Sequence, residues 1–221
     1  YVLSCLEEPQ RIFDLDPSSE ILFVIQTLNL ALAKKLDYGR FKAMIDQSPY
    51  FNKVFPYDKH IESELIFPNR IIVGPVSGQE TATIGQNVFG GVLDEVNFME
   101  FTQSSSKTHD GSTYDQANAL YNSIAARRKS RFLKNGRLFG MLCLVSSKRY
   151  PNQFTDQKVA QAKKELGEKG KSSIYVYDKT RWEIKPDDFC GEKFRVFKGD
   201  QNRKPRILTK EEAVEEDMVL E

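Results

Sequence analysis

The 221 residues read as an α/β fold: a mostly parallel sheet with helices on both faces. Three observations predict it. Continuous apolar runs such as Ile21 to Ile25 and Leu138 to Val145 have the composition of strands buried on both sides. Segments with apolar residues at helical spacing separate those runs. One run, Gly85-Gln86-Asn87-Val88-Phe89-Gly90-Gly91-Val92-Leu93-Asp94-Glu95, ends in two adjacent carboxylates. Open α/β sheets bind their ligands at that end of a strand.

The elements follow in order. Tyr1 to Leu6 starts without Met and in mid-pattern, so it reads as a helix tail and the chain as an excised fragment; Glu8-Pro9 stops it. Asp16-Pro17-Ser18-Ser19 is a turn before the strand Ile21 to Ile25. A helix is expected from about Leu28 to Gln47, with Leu32, Leu36, Phe41, Met44 and Ile45 at roughly helical spacing and Gly39 as a weak point. Ser48-Pro49 ends it, and Phe51 to Lys59 is an aromatic loop. Leu65-Ile66-Phe67, Pro68-Asn69 and Ile71-Ile72-Val73 make a hairpin. Gly74 to Gln86 is a loop, and Thr102 to Ser112, poor in apolar residues, is expected to be mobile.

Tyr114 to Phe132 is a helix with Ala117, Leu120, Tyr121, Ile124 and Ala125 on one face. Leu138 to Val145 is a buried strand that ends in Ser146-Ser147, and a helix runs from Phe154 to about Leu166. The alternation from Ser172 to Ile184 reads as a further strand. A short strand around Phe194 to Phe197 is followed by charged, loop-like sequence.

Composition narrows the classes. With 40% hydrophobic and 29% charged residues, the chain suits one globular domain of ordinary size with room for a small appendage. There are 32 basic and 31 acidic residues, so any nucleic-acid contact must come from a local patch. Cys5, Cys143 and Cys190 are far apart and match no metal pattern; a reducing compartment is the simplest reading, with Cys143 in the core. No signal peptide and no membrane-length apolar run is present.

The carboxylate pair carries the chemistry. Successive strand residues point to opposite faces, so Asp94 and Glu95 are expected to do different jobs. In a nucleoside triphosphatase Asp94 holds Mg²⁺ through water and Glu95 orients or deprotonates the attacking water. The alternative is a strand that ends in a solvated acidic turn. No Gly-x-x-x-x-Gly-Lys-Ser/Thr occurs, and Lys34-Lys35 has no glycine loop before it. Nothing here, then, forms the usual cradle for the β- and γ-phosphates.

Arg127 and Arg131 lie four apart on one helix face, where capping of the helix end, a contact with a nucleic-acid backbone or an arginine offered to a neighbour's γ-phosphate are all open. Solvated readings serve for His60, His109, Asp187-Asp188 and the lysines from Lys163 to Lys179; Trp182 reads as a core anchor or edge cover. Tyr50, Phe51, Phe55 and Tyr57 read as packing within their loop.

Several stretches together resemble the ATPase domain of the large terminase subunit, the DNA-packaging motor of tailed phages. They are Asp14-Leu15-Asp16-Pro17-Ser18-Ser19-Glu20-Ile21, Ser48-Pro49-Tyr50-Phe51, the hairpin, Gly85 to Met99, Arg127-Arg128-Lys129-Ser130-Arg131-Phe132 and Val145-Ser146-Ser147. The resemblance covers most of residues 10 to 185, and the run ending Asp94-Glu95-Val96-Asn97-Phe98-Met99 is its most specific part.

The resemblance implies a RecA-like P-loop NTPase of the ASCE type whose N-terminal P-loop unit is missing from this chain, so that the chain is inactive alone. It implies ATP and Mg²⁺ as cofactors. Asp94 would be the Mg²⁺-associated Walker B aspartate, Glu95 the catalytic carboxylate, and Ser146-Ser147 the coupling motif that senses the γ-phosphate. It places residues 1–188 in a partial ATPase domain and 189–221 in a linker toward a nuclease domain. Implied partners are double-stranded DNA, a portal protein, a small terminase subunit and sister subunits in a homo-oligomeric ring, in the host cytoplasm and away from membranes. A DEAD/DEAH-like helicase shares the Asp-Glu strand, but there Ala or Cys usually follows, and here Val96-Asn97 does. A non-catalytic assembly module is the third reading.

Overall fold

The computed structural model describes residues 1–77, 83, 85–102, 114–188, 195–199, 202–209 and 218–220. They form two compact units, Tyr1–Ser146 and Ser147–Glu221.

In the first unit, α1 (Pro9–Ile12) leads to β1 (Ile21–Gln26). A helical run follows, made of α2 (Leu30–Leu32), a π-helical segment (Ala33–Tyr38) and α3 (Gly39–Gln47), then α4 (Pro49–Lys53). The hairpin is β2 (Leu65–Phe67) and β3 (Ile71–Val76), and β4 (Val88–Asp94) comes next. The short strands β5 (Phe101–Thr102) and β6 (Tyr114–Asp115) pair before α5 (Gln116–Phe132). A second hairpin, β7 (Leu133–Lys134) and β8 (Arg137–Leu138), precedes β9 (Leu142–Val145).

The main sheet has the order β2-β3-β1-β4-β9, parallel except for β2. Gln26 lies opposite Leu93, and Asp94 opposite Val145, so the carboxyl ends of β1, β4 and β9 finish side by side.

Both faces of the sheet are covered. Ile21, Ile25, Ile71 and Val73 pack with Phe13, Tyr38, Ile45, Phe67 and Phe132 on one side. Leu22, Val24 and Ile72, which alternate with them and so point the other way, are equally buried. Phe132 is fully buried, its ring centroid 5.0 Å from those of Phe13 and Phe89. The expected aromatic loop does pack: Phe51, Phe55 and Tyr57 surround Phe67, although its first part is helical as α4.

Arg128 is the main polar pin of this unit. Its guanidinium donates to the carbonyl oxygens of Phe89 (3.2 Å), Phe139 (3.3 Å) and Gly140 (2.8 Å), tying α5 to β4 and to the approach to β9. Burial lowers its pKa from the ordinary arginine value. Removing it leaves three carbonyls without their donor, so Arg128→Ala is expected to cost about 2–4 kcal/mol. Lysine, with a point-like ammonium, restores only part. Urea unfolding of the three proteins measures the difference.

Several sequence expectations change. The first residues form one 3-10 turn, Val2–Cys5. The single helix from Leu28 to Gln47 is broken by the π-helical segment, which shifts the apolar stripe: Ala33 and Tyr38 are buried and Met44 is 70% exposed. The Leu36 side chain lies outside the described set. The strand expected from Leu138 starts at Leu142, because Leu138 pairs with Leu133 across an Asn135-Gly136 turn whose φ values are both positive. Cys143 is only half-buried.

In the second unit, α6 (Phe154–Lys169) and α7 (Arg181–Ile184) are helical. The strand expected over Ser172 to Ile184 does not form. Ser172 and Ser173 turn back onto Glu165. Thr180 and Glu183 cap α7 reciprocally, and Tyr175, Tyr177 and Trp182 are exposed. The tail expected to be loop-like holds a three-stranded antiparallel sheet, β11-β10-β12, from β10 (Arg195–Phe197), β11 (Arg206–Ile207) and β12 (Met218–Leu220). Residues 103–112, with His109, and also Cys190 and Phe194 lie outside the described residues. No described helix is long and apolar enough to cross a membrane.

Candidate active site

The site grows from the backbone of β4. Gly90 and Gly91 let the strand approach its neighbours closely: a Cβ on Gly90 would stand 2.1 Å from the Met141 carbonyl oxygen, and one on Gly91 2.0 Å from that of Val24. The Gly91 amide donates to the Met141 oxygen at 3.0 Å. Leu93, fully buried, anchors the strand just before the carboxylates.

Asp94 ends the strand, and Glu95 leaves it in the left-handed region at φ 55, ψ 35. The expectation of opposite faces therefore fails: strand alternation stops at Asp94, and the Glu95 amide folds back to donate to Asp94 Oδ1 at 2.9 Å. A glutamate in this conformation stores about 1–2 kcal/mol of strain, the kind found where a side chain is held for a task. The 3-10 turn Val96–Phe98 follows, with Val96 and Asn97 buried. The Asn97 amide donates to Ser146 Oγ at 3.1 Å, so the end of β9 is fastened to the turn after the carboxylates. Ser146 is half-buried, and Ser147 is exposed and opens the second unit.

A third carboxylate joins the pair. Asp37, from the π-helical segment, lies near Asp94 and has its pKa raised, first by burial and then by the Asp94 charge. Glu95 is raised by burial, then by Asp94 and Asp37. Glu95 Oε2 is buried with no hydrogen-bond partner among the described residues. At the neighbouring end of β1, the fully buried Gln26 gives its amide to the Ser77 carbonyl while its own oxygen Oε1 is likewise unpartnered. Sequence reading missed Asp37 and Gln26: one is a lone acid inside a presumed regular helix, the other a polar residue ending an apolar run.

These residues fit a hydrated Mg²⁺ better than a protein-only metal cage. The described residues contain no group of three or more ligating side chains placed to hold an ion. Mg²⁺ bound with phosphates needs only one or two carboxylates and keeps its waters. Crowded carboxylates and an unpartnered buried oxygen suit a cation and an ordered water.

The crowding has a stability consequence. A carboxyl whose folded pKa is raised stabilises the fold below its unfolded value and loses that contribution as pH rises through the folded one. Asp37 and Glu95 thus make the metal-free protein gain stability as pH falls from 7 toward 4.5. Below that, Glu165 and Glu183, both lowered to about 2, reverse the trend. Asp37→Asn is expected to raise the melting temperature at pH 7 by about 2–4 °C, the shift of roughly 1 kcal/mol in a chain this size, and to flatten the gain on acidification. Thermal melts at pH 5 and 7 check both.

The other expected residues lie elsewhere. Arg127 is half-buried and Arg131 exposed near the end of α5. Lys34 and Lys35 are exposed in the π-helical segment. A partial trace of a phosphate loop, Gly170-Lys171-Ser172, follows α6: Gly170, at φ +65, caps that helix, and the Ser172 hydroxyl bonds Glu165. A phosphate loop precedes a helix and uses the amides of its N-terminus, so this one runs the wrong way.

The model of the family described as "Uncharacterized protein MJ0330, N-terminal P-loop domain" matches residues 1–203. No curated protein matches the chain. Among solved structures, the crystal structure of the HK97 bacteriophage large terminase is similar over 74% of this chain, with 14% identity and a TM-score of 0.43. The chain covers 29% of that protein.

Proposed function

The chain belongs to this P-loop domain family, and from that premise we propose that it is the Walker B and coupling part of an ATP-hydrolysing motor domain, of the kind that packages double-stranded DNA. The supporting observation is the end of β4, where Asp94 and the buried, unpartnered Glu95 Oε2 stand beside a Ser146 bound to the following turn. Mg²⁺ supplies charge neutralisation for the phosphates when bound. Asp94 would hold it, and Glu95 would accept a proton from the attacking water. Ser146-Ser147 report the state of the γ-phosphate, Ser146 through its bond to the Asn97 amide. Arg127 or Arg131 serves a neighbouring subunit's γ-phosphate in a homo-oligomeric ring.

In this reading residues 1–188 form the ATPase part and 189–221 lead toward a nuclease domain, with the phosphate loop supplied from outside the 221 residues. Portal and small terminase subunits are the partners, and the host cytoplasm is the place of action. Support for packaging in particular is the sequence run Gly85 to Met99 and the other stretches that resemble large terminases.

The test is hydrolysis by the full-length protein with and without Mg²⁺. Mg²⁺-dependent turnover stimulated by linear duplex DNA supports the motor. Turnover coupled to strand separation favours a helicase instead, and ATP binding without any turnover favours the assembly module.

A further inference from the structure

Residues 116–146 contain six basic side chains (Arg127, Arg128, Lys129, Arg131, Lys134 and Arg137) and no Asp or Glu. The other residues hold 26 basic against 31 acidic side chains, so the near-neutral total hides a strongly positive segment. The segment is continuous in the fold: α5 runs directly into the β7–β8 hairpin, the Phe139 amide closes back onto the Phe132 carbonyl at 3.0 Å, and the cations project from more than one side of the helix end. Two of the cations are committed internally. Arg128 holds three carbonyls, and Lys134 holds the Ile12 carbonyl and Asp14. Arg127, Lys129, Arg131 and Arg137 have no ion pair among the described residues, and all but the half-buried Arg127 are exposed.

Helix capping does not account for this. The partial negative charge at a helix C-terminus is about half a unit and favours one or two cations in the last turn. Lys129 and Arg131 satisfy it. Arg137 lies on the hairpin, beyond the reach of that argument, and directly opposite Lys134.

We propose that the C-terminal end of α5 and the β7–β8 hairpin form a docking surface for the phosphate backbone of double-stranded DNA. Arginine dominates the free cations, and its planar fork matches phosphate oxygens. The B-form major groove admits a two-stranded ribbon such as β7–β8, whereas the groove of an A-form duplex is too deep and narrow. Unpaired bases are a poorer fit because the segment offers them no exposed ring: Phe132 is fully buried and Phe139 is packed against the core. The proposal names a DNA surface for the motor read above but stands on charge, so it can survive the loss of the ATPase reading.

The test is fluorescence anisotropy of the 221-residue chain with a labelled 20-base-pair DNA duplex of arbitrary sequence, across salt and without nucleotide. The wild type is expected to bind with a steep salt dependence. The triple variant Lys129→Gln, Arg131→Gln, Arg137→Gln should bind at least tenfold more weakly and lose about 2–3 from the log–log salt slope, near 0.9 per phosphate contact. The pair Lys129→Gln, Arg137→Gln, which leaves both candidate ATPase arginines intact, should lose about 2. Unchanged binding by these variants, with unchanged thermal melts, overturns the proposal. So does tighter binding to an RNA duplex of the same sequence or to vesicles rich in anionic lipid. ATPase failure with DNA binding retained sinks only the motor.

Discussion

Glu95→Gln in the full-length protein is expected to slow ATP turnover by about 10²–10⁴-fold while ATP binding survives, because the amide keeps the shape of the side chain and cannot accept the proton. The geometry makes this sharper than a generic acid-to-amide change. Burial and the charges of Asp94 and Asp37 hold the Glu95 carboxyl above the ordinary glutamate range. That direction belongs to the metal-free site, since a Mg²⁺ held at Asp94 would offset the neighbouring negative charge. The backbone adds a second signature. At φ 55 glycine is at ease and glutamate is not. Glu95→Gly should be as inactive as Glu95→Gln yet more stable than wild type, by up to about 1 kcal/mol. A catalytic carboxylate held in this conformation behaves this way; a solvated acidic turn with the same φ would also gain stability from glycine but would keep its turnover. Steady-state hydrolysis, equilibrium binding of a labelled nucleotide and urea unfolding on the two variants separate these cases.

The second large effect is expected at the glycines that bring β4 and its neighbours together. Gly91 has φ +150, and Gly140 has φ +78 with a hypothetical Cβ 1.9 Å from the Phe89 carbonyl oxygen. The atoms in the way are backbone, held within the sheet between β1 and β9, so no side chain can swing aside. Gly91→Ala or Gly140→Ala combines that clash with a conformation alanine resists, and a loss of about 3 kcal/mol or more is expected, enough to unfold a protein of ordinary stability. Gly136→Ala is the control. It sits at φ +72 with open space around it, and it should cost only the backbone strain, about 1–2 kcal/mol. Urea midpoints that fall equally for Gly136→Ala and Gly140→Ala would show that crowding at β4 contributes nothing.

Much of this was legible in the residues. The apolar runs of β1 and β4 and the β2–β3 hairpin announced themselves because strands buried on both faces need continuous apolar sequence. Asp94 and Glu95 were legible as a pair because their position at a strand end is set by chain order alone. What was hidden depends on contacts between distant segments. The π-helical turn at Ala33–Tyr38 inserts a residue that a 3.6-residue pattern cannot anticipate, and it is this turn that carries Asp37 toward Asp94. Arg128 read as one of a row of helix-ending cations; its value comes from three carbonyls on other segments. The alternation from Ser172 to Ile184 imitates a strand, but a strand needs a partner edge, and the local bonds to Glu165 and Glu183 win instead.

On this reading a Mg²⁺-bound nucleotide sits at the carboxyl end of β4. The most direct test replaces Mg²⁺ with Fe²⁺ in the full-length protein and, with ATP and peroxide present, maps the resulting backbone cuts. Cuts clustered at residues 94–97 and near Asp37 and Ser146, appearing only with nucleotide and absent from Asp94→Asn, are the predicted result. Nucleotide-dependent cuts elsewhere in the chain, with these positions intact, would contradict it.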